Sequence, residues 1–362
     1  MRIAQVSPLW ESVPPKLYGG TERIVSYLTE ELVRLGHDIT LFASGDSVTT
    51  AHLEPICPRA MRLHAGVYNR DAPVTMLMER ALGKSAEFDI IHSHLDFMGF
   101  PLARRNPTPS VATFHGRLDL PELQPVFREY AEMPMVSISD AQRRPVSWAN
   151  WQATVYHGLP NNLYDFQPMP GRYLAFLGRI APEKRPDHAI EIAKRVGIPL
   201  RIAAKVDPMD REYFQYEIEP LLAHPLIEYL GEITDAEKNE LLGQAIALVC
   251  PYDWPEPFGL VLIEALACGT PVLAYRRGSI PEIIEDAVTG FVCEDVDSMA
   301  TAVHRVMEID RRRCRQTFEE RFTVRRMAQE YLRVYERLLG SICASEAEAT
   351  SSVSLDSFLT SA

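Results

Sequence analysis

No G-x-x-x-x-G-K-[ST] occurs anywhere in the 362 residues, and no G-x-G-x-x-G follows either segment that reads as the first strand of an α/β unit. The first absence excludes P-loop nucleotide chemistry, and the second disfavours a nicotinamide dinucleotide. The six cysteines (Cys57, Cys250, Cys268, Cys293, Cys314, Cys343) form no C-x-x-C pair. Several stand in apolar strand or helix contexts and read as small buried hydrophobes, which suits a reducing cytoplasm. No run of about 18 apolar residues is present, and the chain enters a strand at once, so neither a spanning helix nor a signal peptide is expected. Positive charge is in deficit, 37 Lys+Arg against 49 Asp+Glu for a net charge of -12. Such a chain is a poor partner for nucleic acid or for anionic membranes at large. The pairs Arg104-Arg105 and Arg143-Arg144 leave only a weak peripheral membrane association open.

What is there is an alternation of short β-like runs with helical apolar stripes. Arg2 to Ser7 reads as a strand, Thr21 caps a helix with apolar Ile24, Val25, Leu28, Leu32 and Leu35 up to Gly36, and Asp38 to Phe42 is the next strand. A β-α-β unit implies a parallel sheet with a right-handed crossover. Further strands are expected at 88–92, 110–114, 135–139 and 154–156. They end in polar clusters that include His92, His94, Asp96, His115, Arg117, Ser139 and His157. Around Asn161 to Gly171 the composition turns to Pro, Asn and Gly, a hinge signal. A second alternation follows, with strands at 173–177, 200–204, 272–275 and 291–293 and helices at 186–196, 210–222, 235–244, 281–285, 298–309 and 324–339. The reading is two domains, 1–165 and 166–340, then a polar tail, 341–362. Parallel α/β sheets hold ligands beyond the carboxyl ends of their strands, so each domain offers one functional rim.

The chain is organised around Pro251 to Val272, PYDWPEPFGLVLIEALACGTPV, where an apolar strand feeds a helix read from Phe258 to Cys268. Prolines on either side hold Glu256 extended beside the helix start. Free amides at Phe258, Gly259 and Leu260 make that start an anion seat, with no side chain at Gly259 to obstruct it. Glu264 follows inside the helix. At the end of the second domain's first strand stands Leu177-Gly178-Arg179-Ile180-Ala181-Pro182-Glu183-Lys184, a glycine turn with two cations five residues apart. Arg gives a forked contact and Lys a point charge, so the turn and the helix start are complementary halves of one diphosphate site. His92, His94 and Asp96 form a weak ligand set on paper, and no metal is expected there. Asp295-Val296-Asp297 precedes Ser298 at a helix start and reads as a cap.

GRIAPEKR at 178–185, EPFGLVLIEALACGTPV at 256–272 and YGGTER at 18–23 resemble three hallmark segments of glycosyltransferase family 4, and the similarity spans nearly 1–340. The resemblance implies a retaining enzyme of the α/β GT-B fold. It would have two Rossmann-like domains facing each other across a cleft, an acceptor domain and then a donor domain, with the C-terminal helix returning toward the first. It implies that Arg179 and Lys184 bind the donor diphosphate with Gly19, Gly20, Gly259 and Leu260. Glu264 takes the ribose, Glu256, Phe258 and Gly259 meet the donor sugar, and His115 contacts the sugar near the reaction centre. His157-Gly158 departs from the Asn-Gly of many relatives.

The resulting expectation is transfer of a hexose, glucose by family similarity, from a UDP-sugar to an acceptor hydroxyl without a metal or other cofactor. It resembles bacterial and cyanobacterial enzymes of exopolysaccharide assembly, in the cytoplasm. His94, Arg117 and Ser139 are the expected acceptor contacts. A pterin or other small acceptor, a GDP-mannose donor, a sugar-nucleotide epimerase and a silent sugar-nucleotide binder remain as alternatives.

Overall fold

The computed structural model describes residues 1–62, 64 and 69–340; the tail expected at 341–362, with Cys343, lies outside the described residues. The first sheet contains β1 (Arg2–Val6), β2 (Asp38–Ala43), β3 (His52–Pro55), β4 (Ile90–Ser93), β5 (Ser110–Thr113), β6 (Met135–Ser137) and β7 (Trp151–Thr154), all parallel, in the order β3-β2-β1-β4-β5-β6-β7. The second contains β8 (Tyr173–Ile180), β9 (Leu200–Val206), β10 (Ile227–Gly231), β11 (Ala245–Cys250), β12 (Val272–Tyr275) and β13 (Gly290–Cys293), again parallel, in the order β10-β9-β8-β11-β12-β13. Each sheet is built outward from its first strand and then doubles back. The order therefore reverses between β1 and β4 in one and between β8 and β11 in the other, and crevices open at such reversals.

The second sheet encloses one apolar core in which β11, β12 and the helix Leu260–Ala267 are almost wholly buried. Burial on both faces explains why β11 reads as an unbroken apolar run. The first sheet is covered on one side by Ile24, Leu28 and Leu32 of the helix Gly20–Arg34 together with Met327, Tyr331 and Tyr335. These last three belong to a helix over residues 324–340, which follows the second sheet in sequence yet packs on the first. The chain crosses at Leu159, whose N–H donates to Phe322 O at 2.9 Å while Val324 N donates to Leu159 O at 2.8 Å.

Bounds differ where local chemistry overrides periodicity. The helix expected over 210–222 is broken into short turns, Arg211–Tyr213, a π-type turn Phe214–Ile218 and a 3-10 turn Glu219–Ala223. Pro220 lacks the N–H that a continuous helix needs and crowds the preceding turn. The strand expected at 154–156 lies at Trp151–Thr154. The helix expected from Phe258 begins at Leu260, because Gly259, at φ 87°, ends the loop in a left-handed conformation. Asp295 accepts from Ser298 N at 2.8 Å at the start of the helix Val296–Arg305, so its carboxylate is used as a cap.

Candidate functional site

The two reversals face one another across a cleft of about 890 Å³. Two helix starts converge on it. Gly19 and Gly20 open the helix Gly20–Arg34, and a Cβ built on Gly20 would come within 3.4 Å of Leu260 Cδ1 at the other helix start. The first amides of both helices have no carbonyl within their own helix to bond, so both ends present partial positive charge to the same space. Gly259 is constrained as well as permissive: an added Cβ would meet Leu262 Cδ1 at 2.9 Å.

Arg179 and Lys184 line this cleft with Gly259 and Leu260. Arg179 bonds Glu183 and has Asp207 and Asp210 at 3.5 and 3.6 Å. Burial works against its charge, but Asp210 and Glu183 more than offset this and raise its pKa. Lys184 bonds Oε2 of Glu256 and lies 4.1 and 4.8 Å above the rings of Tyr252 and Trp254. A lysine ammonium has three donors and a guanidinium five, so each cation keeps donors beyond those its carboxylates use.

Glu264, 3% exposed, accepts from Lys238 Nζ at 2.9 Å and Tyr164 Oη at 3.1 Å, both at Oε1. Lys238 also pairs with Asp235 at 2.9 Å, and Asp235 accepts from Arg23 of the first sheet's opening helix. These four charges bind the two halves on one side of the cleft. Apart from that network, Glu282 accepts from Asp140 N at 2.8 Å, Ala141 N at 2.6 Å and Tyr156 Oη at 3.1 Å, which also joins the halves.

His115 lines the cleft, and its Nε2 lies 2.9 Å from His94 Nδ1. Its ring stacks on His157 at 5.2 Å, and His157 meets Phe258 edge-on at 4.8 Å. Burial pushes the His115 pKa down to about 3, which keeps the imidazole neutral. Glu22, also on the wall, accepts from Glu11 N at 3.1 Å, and burial lifts its carboxyl to about 7 despite Lys205 nearby.

Thus Gly19, Gly20, His115, Arg179, Lys184, Glu256, Phe258, Gly259, Leu260 and Glu264 share one cleft. Of the three residues expected to hold the acceptor, two stand behind its wall, while Arg117 reaches its edge, 5.9 Å from the ring of Trp254. His94, 2% exposed, stands behind His115, with Nε2 on Gln5 Oε1 at 2.9 Å. Ser139 is fully buried; its hydroxyl donates to Pro257 O at 2.7 Å and accepts from Gln142 N at 3.0 Å. Arg117 is engaged with Asp119 at 2.7 Å. Trp254, Tyr164, Lys238 and Gln5 are not singled out by the sequence, the last three because each acts through a partner distant in it. Only Trp254, two residues before Glu256, had a usable cue.

Residues 166–321 match the family model described as glycosyl transferases group 1, and residues 18–153 the one described as Glycosyltransferase Family 4. The phosphatidyl-myo-inositol mannosyltransferase of Mycolicibacterium smegmatis is 27% identical, over 94% of this chain and 95% of that protein. Among solved structures, the sucrose-phosphate synthase of Thermosynechococcus elongatus superposes with a TM-score of 0.78 at 17% identity, over 94% of this chain and 99% of that one. The Anabaena protein HepE in complex with UDP and glucose gives 0.71 at 18%, over 93% and 100%.

Proposed function

The chain belongs to glycosyltransferase family 4 and has the GT-B fold of a glycosyltransferase, and from that premise we propose that it transfers glucose from UDP-glucose to an acceptor hydroxyl with retention of configuration, in polysaccharide assembly. The observation that carries the reading is the common wall formed by Arg179, Lys184 and the helix start at Gly259–Leu260. Breaking a sugar–diphosphate bond builds negative charge on the departing phosphate. Two cations and the ends of two helices meet that charge without a divalent ion. Glu264 is the ribose acceptor, pre-oriented because Lys238 and Tyr164 fix one of its oxygens. Glu256 has Oε2 fixed by Lys184 and Trp254, which suits positioning of a sugar hydroxyl better than nucleophilic attack. Attack then comes from the face of the leaving phosphate, which accepts the proton of the incoming hydroxyl. His115 meets the donor sugar. Support for glucose comes from HepE, whose solved complex contains UDP and glucose; the mannosyltransferase relative makes GDP-mannose the necessary comparator.

The test is nucleoside diphosphate release from UDP-glucose, UDP-galactose and GDP-mannose by the purified protein, followed by acceptor fractions screened for a gain of one hexose in mass. UDP-glucose turnover that is lost in Lys184→Ala together with UDP binding is expected. Turnover of GDP-mannose alone would overturn the donor assignment, and binding without transfer to any fraction would overturn the activity.

A further inference from the structure

Behind the cleft, a run of buried polar groups connects His115 to the helix over residues 324–340. Starting at the cleft, His115 Nε2 lies 2.9 Å from His94 Nδ1, and His94 Nε2 lies 2.9 Å from Gln5 Oε1. Gln5 Nε2 lies 3.3 Å from Tyr335 Oη and 3.5 Å from His92 Nδ1. Tyr335 Oη is 2.7 Å from His92 Nδ1, His92 Nε2 is 2.7 Å from Thr113 Oγ1, and Thr113 Oγ1 is 3.1 Å from Tyr331 Oη. Gln5, His92 and Thr113 are fully buried and His94 is 2% exposed, so water does not compete for these bonds.

Such a run has only two consistent proton arrangements, because a neutral imidazole carries one N–H and one lone pair, and fixing any ring fixes the next. Gln5 selects between them. Its amide nitrogen has two N–H groups and its oxygen has none. On the side of Tyr335 Oη and His92 Nδ1 an NH₂ donates to Tyr335 Oη, and its second N–H shares, at 3.5 Å, the His92 lone pair that Tyr335 also reaches. The side with one neighbour, His94, is the side for the oxygen. Turning the amide over would leave one buried N–H with no acceptor in reach. With Oε1 toward His94, that ring carries its proton on Nε2 and accepts at Nδ1. His115 must then donate from Nε2. In the other direction Tyr335 donates to His92 Nδ1, and His92 Nε2–H donates to Thr113.

We infer that Gln5 and His94 are positioning residues that hold His115 as the Nε2–H tautomer and leave its Nδ1 as a bare acceptor for a hydroxyl in the cleft. The inference rests on the reading of His115 as a donor-sugar contact. No protein atom bonds Nδ1 of His115 among the described residues, whereas Nε2 is taken by His94. A neutral ring with a fixed lone pair demands a hydroxyl that donates, so it orients the sugar without competing for its proton. Tyr331 and Tyr335, from the helix that crosses back to the first sheet, complete the run and connect that crossover to the chemistry.

Long-range ¹⁵N–¹H correlation spectra of the full chain labelled with ¹⁵N-histidine test the assignment directly, the His115 signals being identified by their loss in His115→Gln. The expected result is a neutral His115 protonated on Nε2, with His94 and His92 of the same tautomer; a His115 protonated on Nδ1 would overturn it. Gln5→Leu should mix the tautomers and lower kcat by roughly five- to twenty-fold with little change in donor KM, the signature of lost orientation and not of lost binding. Unchanged histidine spectra in a folded Gln5→Leu would overturn the role of Gln5. Wild-type transfer by His115→Gln, with the Nε2–H tautomer intact in the parent, would instead overturn the reading of His115 and with it any positioning role.

Discussion

Trp254 Nε1 donates at 2.7 Å to Oε2 of Glu256, the same oxygen that Lys184 reaches with its ammonium. One carboxylate oxygen is thereby saturated by a fixed indole and a cation that also lies over the rings of Tyr252 and Trp254. The consequence is a carboxylate that cannot rotate and an ammonium held at a fixed height above the cleft wall.

Lys184→Ala removes the cation and leaves Glu256 with the indole alone. Loss of one preformed charge from a developing anion lowers kcat by about 10²–10³-fold, and UDP binding weakens in parallel. Trp254→Phe keeps an aromatic ring beneath the ammonium and deletes the indole N–H with its hydrogen bond, worth about 1 kcal/mol, so a loss of roughly five-fold is expected. Steady-state kinetics with calorimetric UDP binding measures both; an equal effect of the two variants would argue against the ammonium as a phosphate contact.

How far these arrangements were legible in sequence depends on how local their causes are. The helix Pro186–Val196 lies where its pattern puts it, since Pro at its start and left-handed Gly197 at its end are local stop signals. β12 is equally well bounded, at Val272–Tyr275. By contrast β7 is half-buried at every position, so it shows no alternation to read. Pro220 was visible, but the apolar residues around it still suggested one helix. In the site, the Arg179–Lys184 turn and the 256–264 segment were readable because each is contiguous. Ser139 and His94 misled as acceptor contacts because a polar residue at a strand end is equally suited to bracing the wall from behind, and only the Pro257 carbonyl and Gln5 amide decide between these uses.

Metal removal is the sharpest test of the charge argument. If Arg179, Lys184 and the two helix starts supply the positive field, transfer measured after dialysis against EDTA stays within about two-fold of the untreated rate. A loss that Mg²⁺ or Mn²⁺ restores would show that the field is insufficient.

Glu22 gives the fold a distinctive pH response. Burial raises its carboxyl from 4.5 to about 7, so between these values the folded chain holds more protons than the unfolded one. Stability attributable to this group is greatest below about 4.5 and falls as pH rises toward 7, by up to about 3 kcal/mol. His92 and His115 act in the opposite sense, since burial lowers both to about 3 and the unfolded chain takes up protons below about 6.5. The comparison therefore belongs between the parent and Glu22→Gln. In urea titrations the variant should gain stability relative to the parent as pH rises from 5 to 8; a constant difference would mean that Glu22 is not the titrating group.

Glu282 joins the halves of the molecule through a different balance. Its carboxylate takes two backbone amides at the start of the helix Asp140–Arg143 and the hydroxyl of Tyr156, all from the first sheet's half, while it sits itself on the helix Ile280–Ile283 of the second. Hydrogen bonds to a charged acceptor contribute about 1.5–3 kcal/mol each when desolvated and less at a surface. Glu282→Ala therefore removes three hydrogen bonds between the halves and leaves others, among them Ser139–Pro257, Tyr18–Glu232 and Arg23–Asp235. The two halves remain joined at the Leu159 crossover, so the expected change is a wider cleft in an intact fold. Small-angle scattering should report a larger radius of gyration for the variant than for the parent, with UDP-glucose narrowing the gap, because a donor bound by both walls favours the closed arrangement. Identical profiles with and without donor in both proteins would exclude closure on the donor.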